Sequence, residues 1–117
     1  AELDRAASSG ITLSSMCTVF AESEVVSLIA EGTASAEISR GLNRAIAART
    51  RALVGRAAPQ LDGLKVAMSG GVAWNGGVVR ALEEALGCPL HVPDHPDTVG
   101  ALGAALIALE RSLSQAS

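Results

Sequence analysis

The stretch Met68-Ser69-Gly70-Gly71-Val72-Ala73-Trp74-Asn75-Gly76-Gly77 decides the fold. Just ahead of it, Leu64 to Ser69 is short and apolar and reads as a buried strand. Gly70-Gly71 ends that strand. After it, Asn75 to Leu86 reads as a helix closed by Gly87. A strand that runs through two glycines into a helix is a junction of a layered α/β domain. Glycine has no Cβ, so a ligand can lie directly on the backbone there. The helix start offers N–H groups and the positive end of a dipole. Asn75 can cap that helix or bond a ligand, and a tight turn with no ligand explains the same two glycines more simply. The stretch is not a Walker loop, because no Gly-Lys-Ser/Thr follows, and the spacing from Gly71 to Gly76 is wrong for a dinucleotide-binding fingerprint.

Working toward the C-terminus, Leu90 to Val92 reads as a short strand, Pro93 to Pro96 as a loop, and Thr98 to about Ser112 as an Ala/Leu-rich helix expected to be buried on most sides. Working back, Ser35 is expected to cap a helix from Ala36 to about Ala57. Its apolar stripe is Ile38, Leu42, Ala45, Ile46, Arg49, Leu53 and Val54, with Arg40, Arg44, Arg51 and Arg56 mainly on the wet face. Pro59 and Gly63 mark the loop after it. A further helix begins around Cys17 to Glu22 and runs to about Ala30, where Glu31-Gly32 stops it with Gly32 as the C′ residue. Ile11 to Met16 alternates like a short strand. The order is strand, helix, helix, strand, helix, strand, helix, which predicts one layered α/β domain over residues 1–117.

The composition agrees. A chain of 117 residues is one compact unit and large enough for a real core. Phe20 and Trp74 are its only aromatics, so that core is built from Ala, Val, Leu and Ile. Hydrophobic residues at 49% and charged residues at 18% exclude a disordered chain. A net charge of −3 argues against a nucleic-acid partner. Apolar runs fall well short of the roughly 18 residues that span a bilayer, and no signal peptide is visible, so no membrane partner is expected. Two cysteines, Cys17 and Cys88, are too few for a disulfide scaffold, and the expected setting is reduced and cytoplasmic. Ala1 to Gly10 is weakly patterned, with no Met and no cap, and reads as the middle of a longer chain.

Two more segments carry chemistry. In Val99-Gly100-Ala101-Leu102-Gly103-Ala104-Ala105-Leu106, small residues recur at helical spacing. A glycine inside a helix costs up to about 1 kcal/mol relative to alanine, which points to close packing or to a hinge. In Ser15-Met16-Cys17-Thr18-Val19-Phe20-Ala21-Glu22-Ser23-Glu24-Val25, a cysteine stands just ahead of a helix. A helix start favours the thiolate, the form that ligates iron or zinc. A buried structural cysteine is the plainer alternative, and one thiol cannot hold a cluster that needs four. Cys88 reads as a packed residue. His91 and His95 form a weak metal pair without a third ligand, and Glu22 and Glu24 cannot share one helix face.

Together the three segments resemble the ATPase family of 2-hydroxyacyl-CoA dehydratase activators and the ATP-binding subunits of benzoyl-CoA reductase. Cys17 to Val25 is similar to that family's cysteine signature, and Ser69 to Gly77 to its adenosine motif. Gly100 to Ala105 is similar to the second connecting motif of the actin, hexokinase and Hsp70 superfamily. The resemblance runs from about Leu13 to Ala108. It implies an α/β, actin-like (ribonuclease H-like) ATPase fold with a three-layer sheet and helices, of which this chain is the C-terminal half. It further implies ATP or ADP with Mg against Gly70, Gly71, Asn75 and Gly76, with Gly100 and Gly103 at the hinge between halves and the helix from Ala36 as another wall of the cleft. A 4Fe-4S cluster would be shared with a second copy or a homologous subunit, with Cys17 as a ligand. ATP hydrolysis would then drive a low-potential electron into a partner dehydratase or reductase.

Three departures bear on this. The phosphate-binding motifs of the family's first half are absent, as is its first cluster cysteine. Asp97 stands where the family often has Gln, and the loop from Pro93 to Asp97 is one residue longer. The chain by itself is therefore expected neither to hydrolyse ATP nor to hold a complete cluster. Two other readings share the glycine motifs: half of an actin-like sugar or acyl kinase, which has no use for Cys17, and a non-catalytic interaction domain.

Overall fold

The computed structural model describes residues 18–116. Four helices and two short strands follow one another: α1 Thr18–Ala30, α2 Ser35–Ala57, β1 Val66–Ala67, α3 Gly76–Leu86, β2 Leu90–His91 and α4 Val99–Ala116. Two 3₁₀ turns, Gly71–Trp74 and Pro96–Thr98, precede α3 and α4. The expected strand from Ile11 to Met16 lies outside the described residues.

Glycines end α1 and α3 as the sequence predicts. Gly32 adopts φ 82° and Gly87 φ 71°, a left-handed conformation that a Cβ disfavours. At α1 the chain then folds back, with Thr33 N–H donating to Leu28 C=O at 2.9 Å. The start of α2 differs from expectation. Ser35 is its first residue rather than its cap, and Ala34, in the cap position, makes no side-chain bond. At α3 the cap is Asn75, whose Oδ1 accepts from Gly77 N–H at 3.0 Å and Val78 N–H at 3.4 Å. Those amides have no intrahelical partner, so the side chain satisfies them locally.

The strands pair in parallel, Val66 opposite Leu90 and Ala67 opposite His91, and Met68 N–H continues the ladder to His91 C=O at 2.9 Å. The Glu83 carboxylate accepts from Leu90 N–H at 2.8 Å and pins the end of α3 to β2. Both strands are shorter than their apolar patterns suggest. Val66 is half-buried and Ala67 exposed, as in a strand covered on one face among the described residues.

α3 lies along α2. The core is Ala47, Val78 and Leu82, with Met68, Ala81, Ala85 and Leu90 packed against it. Two expectations fail here, the first in part. First, α3 takes up only part of the apolar stripe of α2: it meets Val54 together with Arg40, Arg44, Ala47 and Arg51, and although Ile38 of the stripe is buried, Ile46 and Leu53 stay 44% and 58% exposed. Ala47, Gly77 and Ala81 are small enough for close approach, and long arginine stems can flank such a seam with their charges in water. Second, α4 was expected to be buried on most sides and has no buried residue. Its packing partner among the described elements is the Pro96–Thr98 turn.

Leu82 is 4% exposed at the centre of the core, so Leu82→Ala should cost about 2–5 kcal/mol in thermal or denaturant unfolding, against under about 1 kcal/mol for Leu53→Ala. Asn75→Ala should cost about 1 kcal/mol, and Asn75→Asp, which retains the accepting oxygen, should recover most of it in the same assay.

Candidate functional site at the glycine junction

The residues singled out in the sequence gather where β1 gives way to α3, and each glycine there has its own reason. Gly70 has φ 102° and ψ 167°, a region that only glycine occupies without strain. Its N–H donates to Pro96 C=O at 2.7 Å, tying this junction to the turn that opens α4. Gly70 is therefore a glycine because the backbone requires one. Gly71 is different. Its φ is outside the left-handed range, and a Cβ added to it would meet nothing within 4 Å. At Gly76 a Cβ would meet only Arg80 Nη1, at an ordinary 3.6 Å. The described fold does not need glycine at either position, so the space beside them is open to a ligand.

Asn75 does what one of its two sequence readings predicts. It caps α3, and its Oδ1 is committed to the amides of Gly77 and Val78. The start of α3 thus offers fewer free donors than its sequence suggests.

Gly100 and Gly103 lie in the first turns of α4, and a Cβ on either would meet nothing within 4 Å. Close packing among the described residues does not account for them, although each costs up to about 1 kcal/mol of helix stability. The Gly70–Pro96 bond nevertheless brings the two glycine motifs to one end of the fold. Cys17 lies outside the described residues. Cys88 is a half-buried free thiol, and no group of three or more His, Cys, Asp or Glu among the described residues could hold a metal ion, His91 and His95 included.

Two features escaped the sequence reading. One is a recess of about 130 Å³ between α2 and α3, where Arg40, Asn43 and Arg44 face Gly77, Arg80 and Glu84. Arg40 and Arg44 belong to the face assigned to solvent. The signal was Ala47 among them, a small residue that admits a neighbouring helix. The other is the outward display of the Gly71–Trp74 turn: Ala73 is 5% exposed, whereas Val72 is 57% and Trp74 59% exposed. Its signal was the position of the chain's one tryptophan, inside the glycine motif.

Comparison with known proteins agrees with this geometry. Residues 1–108 match the model of the BadF/BadG/BcrA/BcrD ATPase family. The chain is 46% identical over 110 residues to the activator of lactoyl-CoA dehydratase of Anaerotignum propionicum, covering 94% of this chain and 41% of that protein. It is 43% identical over 112 residues to the (R)-2-hydroxyglutaryl-CoA dehydratase activating ATPase of Acidaminococcus fermentans, covering 96% and 42%. Among solved structures, the activator of the 2-hydroxyisocaproyl-CoA dehydratase from Clostridium difficile with bound ADPNP superposes at a TM-score of 0.85. That pair is 38% identical and covers 97% of this chain and 41% of that one. The expected actin-like α/β ATPase fold is borne out, and the chain spans about two fifths of the length of these relatives. With its glycine junction in place and the match extending over nearly its whole length, the chain belongs to the BadF/BadG/BcrA/BcrD ATPase family.

Proposed function

We propose that this chain is the C-terminal half of an ATP-dependent electron activator that serves a CoA-thioester dehydratase. The observation that carries the reading is Gly71: no backbone strain and no neighbour calls for glycine there, yet the position opens the junction to solvent. A nucleoside lying against Gly70, Gly71 and Gly76 explains it, and ADPNP is bound in the C. difficile activator. Arg40 and Arg44 face Gly77 and Arg80 across the recess between α2 and α3, and would form an outer wall of the cleft. Asn75 acts by holding the first turn of α3 in place beneath the ligand. Mg and the phosphates would be held chiefly by residues beyond this chain, since it contains no phosphate-binding motif.

α4 supports the assignment to one half of a longer protein. From Val99 to Leu109 it has no polar or charged side chain, and every large apolar side chain in that run is exposed. A helix apolar on all sides belongs in the interior of a larger protein, and no described helix is long and apolar enough to cross a membrane. Gly100 and Gly103, at its start, then form the joint across which nucleotide state changes the angle between halves.

The redox side of the proposal rests on the cysteine signature. Cys17 would be this chain's ligand to a 4Fe-4S cluster shared with a second copy, a group that would supply the low-potential electron. The dehydratase is preferred to a reductase because the relatives compared above are dehydratase activators. A sugar or acyl kinase is disfavoured by the same comparisons.

Gly71→Val separates ligand from fold. In the protein at its natural full length, the variant should lose ADP binding by calorimetry and keep its helical circular dichroism and melting temperature. Normal ADP affinity would remove the junction from the nucleotide site. Cys17→Ser should reduce iron and acid-labile sulfide per protein to background, and Cys88→Ser should leave both unchanged; a normal cluster in the Cys17 variant would overturn the ligand assignment.

A further inference from the structure

We infer that Trp74 is the stacking face for the planar base of the bound nucleotide. This rests on the nucleotide reading above and goes beyond it by assigning a base-recognition residue.

Gly71 and Trp74 are the first and last residues of one 3₁₀ turn. Such a helix has three residues per turn, so positions i and i+3 eclipse one another. Positions 71 and 74 therefore lie on one side of the turn. Residue 71 is glycine, and a Cβ there would meet nothing within 4 Å, the Trp74 ring included. The side of the turn that carries the aromatic ring is thus open next to the backbone of Gly71. That side is unobstructed among the described residues, because Trp74 is 59% exposed. Tryptophan is highly buried on average, and an indole left this open beside an uncovered stretch of backbone calls for an occupant.

The turn is also held still. Gly70 N–H bonds Pro96 C=O at 2.7 Å, Ala73 N–H bonds Gly70 C=O at 3.1 Å, and Asn75 N–H bonds Val72 C=O at 2.9 Å. Ala73, between the two outward residues, is buried. The backbone of Trp74 is thereby fixed on both sides, and only the two side-chain torsions of the ring remain to be ordered. An aromatic face presented in this way binds flat heterocycles by stacking, at little conformational cost. Of the parts of a nucleotide, only the base is flat and apolar enough to use it.

The chain contains one tryptophan and no tyrosine, so the residue carries its own reporter. In the natural full-length protein, the emission difference between the parent and Trp74→Phe isolates this ring from any other. On titration with ADP, that difference signal should be quenched and should saturate with the calorimetric isotherm. Trp74→Ala should weaken ADP binding about tenfold or more, and Trp74→Phe should stay within about threefold of the parent. Melting temperature should be unchanged in both, since the side chain is exposed. If ADP binds the parent and the alanine variant equally and emission does not respond, Trp74 is not the stacking face and the nucleotide reading stands. If the parent binds no ADP, the nucleotide reading fails and takes this assignment with it.

Discussion

One hydrogen bond organises the site: the N–H of Gly70 to the carbonyl of Pro96, 2.7 Å long. It joins the loop after β1 to the turn before α4, segments separated by the whole of α3 and β2. To make it, the chain at Gly70 takes φ 102° and ψ 167°, which excludes every side chain. The chain then re-enters ordinary backbone conformations, winds through the Gly71–Trp74 turn and delivers Asn75 to the cap of α3. A conformation open only to glycine thereby sets the direction of the turn that follows. The same bond makes the two glycine motifs mechanically adjacent, so a ligand seated on the first lies close to the helix that starts at the second.

The helix pair behind this junction is built from small residues rather than large ones. Ala47 meets Val78 and Leu82, and Ala81 and Ala85 fill in beside them. Alanine contacts contribute less burial per residue than leucine contacts, but they let α3 settle close to α2. The arginines of α2 then lie at the edges of the seam. The result is a modest core and a polar recess in the same interface. Of the larger apolar side chains of α1 and α2, Ile38 is buried, whereas Val26, Ile29, Ile46 and Leu53 remain exposed among the described residues.

Local signals were legible in the sequence, and relative placement was not. Gly32 and Gly87 ended their helices because a left-handed residue is needed at the stop, a requirement that involves no distant partner. Asn75 was legible as a cap for the same reason. The face of α2 that packs was misread in part. Period and polarity favoured Ile46 and Leu53, and nothing local shows that a neighbouring helix will select an arginine-lined face at Ala47. α4 was expected from its composition to be buried on most sides, and none of the described elements encloses it. Gly70, Gly71, Asn75 and Gly76 stand out in the sequence by their pattern, whereas nothing local distinguishes the outward display of Trp74 within the same motif.

The glycines of this chain divide by cause, although the division alone does not mark function, since Gly55 in α2 also has open space beside it and no positive φ. Gly32, Gly63, Gly70 and Gly87 all sit at positive φ, so the backbone accounts for them. Gly71, Gly100 and Gly103 have neither that excuse nor a crowding neighbour. In α4 two such glycines within four positions weaken a helix that is already short of contacts, by up to about 1 kcal/mol each. A chain selected for its own stability would place alanine there. That it does not fits a surface shaped around something that approaches the backbone itself, which under the proposed function is a nucleotide at the first motif and the other half of the protein at the second.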